Sequence, residues 1–358
     1  MASAAENDLT DPKPWLVRIP GVFAELAAGV LPRFGALSSM RLGQDYDLIK
    51  TATPEAIQQS DVSIFAQWNL PLEHTWPCAP RKMEGFIEKA AQTLWRKFGS
   101  RHPQGIFIGT LQPASQDKYY KTLASNLRGR VLQLFPKSAV NTVEEQEATA
   151  QTLFCLVGKE GLFAGMQSPR ASNGFYPGGS KFIALDAPNA ISRAGAKIAE
   201  ALHYLLLYRP ALAPGCHWLE LGACPGGMTS ELLARGHRVT AIDRAPLDHR
   251  LHGRMGLTFV LEDVAAFHPS AEASYDAILS DLNGSPMESM AQVIRLSGWL
   301  RTGGVVVFTL KLAGVESIDD TCALFGRVVA MAEAAGLRKI AATHLTYNRH
   351  EFTLFLER

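Results

Sequence analysis

The sequence predicts an α/β protein whose C-terminal part, residues 185–358, forms a doubly wound, mostly parallel sheet. In this part short apolar runs alternate with helical segments, which is typical of strands joined by helices on both faces of a sheet. The last two predicted strands, 339–346 and 351–356, are separated only by a tight turn, so they should pair antiparallel. The predicted sheet is therefore parallel except at its last strand.

The same alternation predicts the individual elements. Before the final pair, the predicted strands are 217–223, 238–243, 258–262, 277–281 and 305–311. The predicted helices are 192–207, 228–235, 287–300 and 318–335. We expect the carboxyl ends of the parallel strands to converge on one rim of the sheet.

The upstream part divides into smaller regions. We expect a flexible tail at 1–13, a small α/β domain at 14–72, a second α/β domain at 73–172 and a linker at 173–184. In the small domain, the apolar runs 15–19 and 62–66 flank a helix-like segment at 23–31. In the second domain we predict helices at 85–98 and 119–134 and strands at 105–109 and 152–157.

Composition excludes several classes of protein. The chain has 358 residues and a net charge of +1, so any nucleic-acid surface must be local rather than global. Its five cysteines are odd in number and form no Cys-x-x-Cys pair, which disfavours a disulfide framework or structural zinc. No signal-peptide pattern and no apolar run of membrane-spanning length is present in the sequence. We therefore expect a cytoplasmic protein.

A glycine-rich turn marks the first predicted βα crossover. Gly222 ends the strand and Gly226-Gly227 opens the helix, at the strand end where open α/β sheets bind ligands. The dehydrogenase pattern Gly-x-Gly-x-x-Gly fails, because Cys224 stands at its second glycine. The turn therefore favours an S-adenosylmethionine site, although similar turns also occur without ligands.

Acidic residues lie within or at the ends of the first three predicted strands. Glu220 could meet the ammonium group of a methionine moiety, Asp243 the ribose hydroxyls and Asp263 the adenine amine. The candidate cofactor-binding residues are Glu220, Gly222, Ala223, Cys224, Pro225, Gly226, Gly227, Asp243, Asp263 and Asp281.

Four further residues are placed to meet at the catalytic rim of the sheet. Lys197 lies on the helix before the first strand, Asp281 ends the fourth strand, Lys311 ends the fifth and Glu351 begins the last. Lys311 is unusual at the end of an apolar strand, because burying an unpaired ammonium is expensive. Each residue alone could form an ordinary ion pair, whereas the four together favour catalysis.

These residues carry a family resemblance. The matching motifs are Ser192-Arg193-x-x-x-Lys197-x-x-Glu200, Gly222-Ala-Cys-Pro-Gly-Gly227, Ser280-Asp281, Leu310-Lys311 and Arg349-His350-Glu351. Together they resemble the FtsJ-like RNA 2′-O-ribose methyltransferases over residues 185–358, which implies a Rossmann-like class I methyltransferase sheet with an antiparallel last strand. The family's Lys-Asp-Lys-Glu tetrad implies that Lys311 is the general base and that Asp281 and Glu351 orient the lysines and the ribose. No metal is expected, since a sulfonium is already an activated donor.

Within that family, the glycine turn and the N-terminal architecture are most similar to the RlmM type. That type methylates large-subunit ribosomal RNA and carries a THUMP domain, which implies a THUMP-like α/β RNA-binding region ahead of residue 185. One difference follows Lys311, where residues 312–317 contain no lysine and RlmM-type enzymes have several.

A basic block at residues 81–140 supports an RNA partner. It holds eleven lysines and arginines against three acidic residues, with interleaved aromatic residues. The basic residues are Arg81, Lys82, Lys89, Arg96, Lys97, Arg101, Lys118, Lys121, Arg128, Arg130 and Lys137, and the aromatic residues are Trp95, Phe98, Phe107, Tyr119 and Tyr120. The alternative is a solvated helix face above core aromatics.

Other functions fit the sequence less well. Amino methylation of bases is associated with Asn/Asp-Pro-Pro-Tyr/Phe, whereas this chain has Asp281-Leu-Asn-Gly. Carbon-5 methylation of cytosine needs a cysteine nucleophile, for which Cys224 is poorly placed in the glycine turn. His249-x-x-His252 lacks the further ligands of a metal site. A non-catalytic RNA-binding protein and a methyltransferase for another substrate remain as alternatives.

Overall fold

The computed structural model describes residues 11–111, 118–135, 142–183 and 190–358. The chain divides into two compact units, an N-terminal unit, Met1–Ser180, and a C-terminal unit, Lys181–Arg358. Most of the tail expected at 1–13, the last residue of the expected linker, and Lys137 of the basic block lie outside the described residues. No helix of the described ranges is long and apolar enough to cross a bilayer.

The N-terminal unit contains two four-stranded sheets. Its elements are β1 (Lys13–Arg18), α1 (Ala27–Arg33), β2 (Ala36–Leu42), β3 (Tyr46–Thr51), α2 (Ala56–Gln59), β4 (Trp68–Pro71), β5 (His74–Pro77), α3 (Phe86–Phe98), β6 (Gly105–Thr110), α4 (Lys118–Leu134), β7 (Thr152–Gly158), β8 (Gly161–Gln167) and α5 (Pro169–Ser172). The first sheet, in the order β2-β3-β1-β4, is antiparallel throughout. The second sheet has the order β5-β8-β7-β6, with β6 and β7 parallel.

Strand β7 is buried on both faces, which explains its uninterrupted apolar sequence. Leu153, Cys155 and Val157 pack in a cluster with residues of α3 and α4. Phe154 and Leu156 point the other way, into a cluster with residues of the first sheet. Alternate side chains of β7 therefore belong to two different hydrophobic clusters, one on each face of the strand.

Two further segments of the N-terminal unit lie outside its sheets. The apolar run 62–66 contains a 3₁₀ turn, Ser63–Phe65. Residues 173–180, expected within a linker, are tied to the N-terminal unit: Arg18 donates to the Gly178 carbonyl at 2.6 Å and to Ser180. Arg18 also pairs with Asp45 at 2.9 Å, so this buried guanidinium has anionic and neutral partners.

The C-terminal unit contains one seven-stranded sheet. Its elements are α6 (Ala194–Leu205), β9 (His217–Leu221), α7 (Gly227–Ala234), β10 (Arg238–Asp243), β11 (Leu257–Leu261), β12 (Tyr275–Ser280), α8 (Pro286–Leu296), β13 (Leu300–Lys311), α9 (Ile318–Ala334), β14 (Arg338–Thr343) and β15 (Glu351–Glu357). The strand order is β11-β10-β9-β12-β13-β15-β14. The first five strands in this order are parallel, and β15 is antiparallel to both of its neighbours. The predicted α/β class, with a mostly parallel sheet and an antiparallel last strand, is confirmed.

The strand order reverses beside β9. From β9 the chain moves outward through β10 to β11, then returns to the other side of β9 with β12 and β13. Helices that leave neighbouring strands in opposite directions open a crevice at the carboxyl ends of those strands. The ends of β9 and β12 are therefore where a ligand site is expected.

Candidate functional site

The turn between β9 and α7 depends on its glycines. Gly222 and Gly226 have φ angles of +80° and +104°, which side-chain-bearing residues rarely adopt. A Cβ atom on Gly227 would lie 2.1 Å from Ser192 Oγ, so this glycine allows α7 to begin against the segment that precedes α6. The turn thus connects β9 to α7 and packs against the residues just before α6.

Asp243, at the end of β10, holds this turn from the side. One of its carboxylate oxygens accepts a hydrogen bond from the Cys224 amide and the other from the Ala245 amide, both at 2.9 Å. Since a carboxylate can accept about four hydrogen bonds, capacity remains for a ligand.

A pocket of about 640 Å³ opens at these strand ends; we call it the larger pocket. Its lining residues are Gly222, Cys224, Asp243, Arg244, Ala245, Asp263, Val264, Ala265, Asp281, Leu282, Asn283, Ser285, Glu288, Ser289, Gln292 and Lys311. Five of the predicted cofactor residues are among them. Ala223, Pro225, Gly226 and Gly227 are outside the lining and shape the turn through their backbone.

Glu220 lies away from the larger pocket. It is 2% exposed and accepts a hydrogen bond from Thr229 Oγ1 at 2.7 Å, because its side chain points from β9 to α7. Burial raises the pKa of Glu220 to about 8, so the carboxyl is mostly protonated at neutral pH. The geometry therefore gives no support to the predicted contact between Glu220 and a methionine ammonium.

This carboxyl should make stability depend on pH. Its pKa lies above the ordinary value of 4.5 in the folded state, so the folded state binds more protons and stability falls as pH rises from about 4.5 to about 8. Each pH unit within that window costs up to about 1.4 kcal/mol. Denaturant titrations at several pH values should show that the free energy of unfolding falls less steeply with pH in Glu220→Gln than in the wild type. The exposed control Glu262→Gln should match the wild type, and equal slopes for all three proteins would contradict the assignment.

Cys224 is exposed at the edge of the larger pocket. Its thiol lies 3.4 Å from the Pro246 carbonyl, and desolvation together with the Asp243 carboxylate raises its pKa. A thiol held in its protonated form is a poor nucleophile. This environment agrees with a structural place for Cys224 in the turn.

The structure brings the four predicted rim residues together. Lys197 Nζ lies 3.0 Å from Asp281 Oδ1 and 2.7 Å from Glu351 Oε1. Lys311 Nζ lies 3.5 Å from the same Asp281 oxygen. Asp281 is thus shared by both lysines, and Lys197 bridges both carboxylates.

Secondary structure fixes this cluster. Lys311 and Glu351 are directly opposite in the antiparallel ladder of β13 and β15. Asp281 follows β12, and its amide still donates to the Leu221 carbonyl at 3.1 Å. Lys197 reaches the rim from α6 and is 7% exposed. Helix and strand backbones, rather than a mobile loop, carry three of the four residues, which favours a well-defined geometry.

Two asparagines complete the cluster and were missed from the sequence. Asn283 Oδ1 accepts a hydrogen bond from Lys311 at 2.7 Å, and the Asp281 carbonyl accepts another at 2.9 Å. Asn348 Nδ2 donates to Glu351 Oε1 at 3.1 Å. The position of Asn283, two residues after the strand-end Asp281, could have indicated a place in the site. The contact of Asn348 with Glu351 becomes evident only in the folded loop.

A second pocket of about 540 Å³ opens on the other side of the cluster. Its lining residues are Ser192, Arg193, Ala194, Lys197, Asp281, Lys311, Thr346, Tyr347, Asn348, Arg349 and Glu351. Asp281 and Lys311 line both pockets. Two ligands, one in each pocket, would therefore meet at these two side chains.

The basic block of the N-terminal unit is partly used for internal contacts. Arg130 pairs with Glu88 at 2.7 Å, Arg101 pairs with Glu73, and Arg128 donates to the Ile106 carbonyl at 3.0 Å. Arg81 stacks over Tyr119, with its guanidinium carbon 4.4 Å from the ring centre. Phe98 and Phe107 are buried in the core. The exposed cations of this block include Lys82, Lys97, Lys118 and Lys121.

Within the described ranges no three His, Cys, Asp or Glu side chains gather in a way that could hold a metal ion. His249, one of the sequence pair, has its Nδ1 3.5 Å from Asp248 Oδ1.

The sheet order, with β15 antiparallel between β13 and β14, is that of a Rossmann-like class I methyltransferase fold. No family model matches the chain. It is 25% identical to ribosomal RNA large subunit methyltransferase M of Shewanella sp. strain MR-4, over 56% of each chain. The protein of the same name from Citrobacter koseri is 28% identical over 55% of this chain and 54% of that one.

The chain spans about half the length of the curated relatives it matches. Their names confirm the resemblance to the RlmM type that the sequence predicts, and methyltransferase relatives agree with S-adenosylmethionine as the predicted cofactor. Among solved structures, the fibrillarin pre-rRNA processing protein of Methanococcus jannaschii overlaps 61% of this chain and 84% of its own, with 15% identity and a TM-score of 0.36.

Proposed function

We propose that this chain methylates a ribose 2′-hydroxyl of RNA, with large-subunit ribosomal RNA as the substrate. The observation that carries the proposal is that the two pockets share Asp281 and Lys311. A methyl donor in the larger pocket and a hydroxyl in the second pocket would meet beside an amine that can take the hydroxyl proton. The RlmM-type relatives support the choice of RNA.

The larger pocket fits S-adenosylmethionine. Gly222 lines it without a side chain, and two acidic residues, Asp243 at the end of β10 and Asp263 just after β11, are also in the lining. Asp263 would receive the adenine amine and Asp243 the ribose hydroxyls. When bound, this cofactor supplies a methyl group that is already activated as a sulfonium.

Loss of the Asp243 carboxylate should weaken cofactor binding. In Asp243→Ala the Cys224 amide of the turn and the Ala245 amide after β10 lose their acceptor, and a ligand loses a charged hydrogen-bond acceptor. Hydrogen bonds to charged groups are worth about 1.5–3 kcal/mol, so calorimetry should show a Kd for S-adenosylmethionine raised by about ten- to hundredfold. The control is Asp276→Asn. Asp276 lies near the start of β12, at the end of the strand away from the larger pocket. An unchanged Kd in Asp243→Ala would remove this residue from the cofactor site.

The tetrad supplies the proton transfer. A 2′-hydroxyl is a weak nucleophile, so its proton must leave as the methyl group arrives, and a neutral Lys311 amine can accept it. The Lys197 ammonium stands between the Asp281 and Glu351 carboxylates. Asp281 and Asn283 orient the amine through the two hydrogen bonds they accept from it.

Cationic side chains support an RNA acceptor. Arg193 and Arg349 are exposed where they line the second pocket, and Lys82, Lys97 and Lys121 are exposed in the N-terminal unit. Exposed lysines and arginines neutralise the phosphates of an RNA backbone, and they make the affinity for RNA depend on salt concentration. We propose that the N-terminal unit contains the THUMP-like RNA-binding region.

The test is methyl transfer from isotope-labelled S-adenosylmethionine to deproteinised ribosomal RNA, followed by digestion and chromatography of the nucleosides. We expect label in a 2′-O-methylated nucleoside. Label in a base would overturn the proposed acceptor. Cofactor binding without transfer to naked RNA or to large-subunit particles would favour the non-catalytic alternative.

A further inference from the structure

The loop between β14 and β15, residues 344–350, forms one wall of the second pocket. It contributes Thr346, Tyr347, Asn348 and Arg349 to the lining, and it leads directly into Glu351. The position of this loop therefore determines both the shape of the pocket and the placement of one tetrad carboxylate. The contacts that hold this loop involve residues outside the Lys-Asp-Lys-Glu tetrad.

A buried carboxylate holds it. Glu200, on α6, is 3% exposed and accepts hydrogen bonds from Thr346 Oγ1 at 2.6 Å and from the Tyr347 amide at 3.3 Å. The Lys181 amide donates to the same carboxylate at 3.4 Å. Burial raises the pKa of Glu200, and the hydrogen bonds from Thr346 oppose that shift.

A second tether acts on the neighbouring residue. The Tyr347 hydroxyl donates to the Ile183 carbonyl at 3.1 Å and accepts from the Ile183 amide at 2.7 Å. Residues 181–183 and the loop are thereby fastened to each other, and Glu200 contacts both. Burying a carboxylate costs free energy unless its hydrogen bonds are satisfied, so this arrangement constrains the loop strongly.

Glu200 also follows Lys197 on the same helix at a spacing of three residues, which places both on one face of α6. Any displacement of α6 would move the tetrad lysine and the loop anchor together. Glu200 does not line either pocket.

We propose that Glu200 is a positioning residue, which fixes the β14–β15 loop and Glu351 for the RNA nucleotide without contacting it. This inference rests on the proposed function for the identity of the acceptor. It predicts that the contact between Glu200 of α6 and the loop affects binding of the acceptor RNA but not binding of the cofactor.

The test is steady-state kinetics of Glu200→Gln with ribosomal RNA, beside calorimetry with S-adenosylmethionine. The amide keeps the size of the side chain but replaces one acceptor oxygen with a donor, so the loop loses at least one hydrogen bond. We expect kcat/KM for RNA to fall by about tenfold or more, as for loss of a hydrogen bond to a charged group. The cofactor Kd should stay within about twofold, because the affected contacts lie outside the larger pocket.

Thr346→Val is the second variant, since it removes the strongest contact and leaves the buried Glu200 in place. It should lower kcat/KM for RNA in the same direction, and the double variant should lose less than the product of the two single effects. Unchanged RNA kinetics in a folded Glu200→Gln or Thr346→Val protein would overturn the inference, as would a cofactor Kd that rises in parallel. If wild-type protein binds cofactor but methylates no RNA, the proposed function fails instead.

Discussion

Lys311→Met should reduce methyl transfer to RNA by about 10²–10⁴-fold, the range expected when a general base is removed. The amine accounts for this effect because Lys311 lines both pockets, and its hydrogen bonds to the Asp281 carbonyl and to Asn283 hold it in place. Methionine keeps much of the length and the apolar stem of lysine. We therefore expect a folded protein that still binds S-adenosylmethionine.

Single-turnover methylation assays would measure the loss free of product release. Lys339→Met, on the exposed part of β14, is the matched control, and it should retain wild-type rates. A Lys311→Met protein that methylates within about threefold of the wild type would remove general-base catalysis by this residue from the mechanism.

Lys197→Met should reduce both activity and stability. The lysine ammonium lies within 3.0 Å of oxygens from both Asp281 and Glu351, so its loss leaves two carboxylates close together without the cation between them. Removing one partner of a buried ion pair costs about 3–5 kcal/mol. The Asp281 and Glu351 side chains are 24% and 14% exposed, which places the expected loss nearer about 1–3 kcal/mol because water screens part of the repulsion.

Chemical denaturation would give the free energy of unfolding, and the RNA methylation assay the activity. The double variant Lys197→Met with Glu351→Gln should regain part of the stability but none of the activity, since it relieves the repulsion without restoring the tetrad. If Lys197→Met unfolds at the wild-type denaturant concentration, the cluster is not held by these ion pairs.

Much of the C-terminal unit could be predicted because its signals are local. Parallel strands place their carboxyl ends on one rim, so Asp243, Asp281 and Lys311 could be assigned from strand ends alone. The short connection predicted before Glu351 implied an antiparallel strand. The structure has a longer connection, residues 344–350, because β14 ends at Thr343, and the ladder sets Glu351 opposite Lys311.

Other features depended on contacts between distant segments. Glu220 follows the same strand pattern as its neighbours, but only the packing of α7 shows that its carboxyl meets Thr229. The count of basic residues in the basic block overestimates how many are available to a ligand. Arg130, for example, pairs with Glu88, 42 positions earlier in the chain. Glu200 lay inside a recognised motif, yet its partner Thr346 is 146 positions later. Sequence periodicity carries no information about such pairs.

The order of the elements along the chain separates the two halves of the site. The glycine turn, Asp243 and Asp263 all lie within 222–263, whereas α6 contributes its lysine and its buried glutamate from upstream and the β14–β15 loop lies far downstream. Residues 344–350 can therefore change without changing any residue of 222–263. Under the proposed function, a shift in acceptor preference among related proteins should appear first in residues 344–350, while the segment proposed to bind the methyl donor is retained.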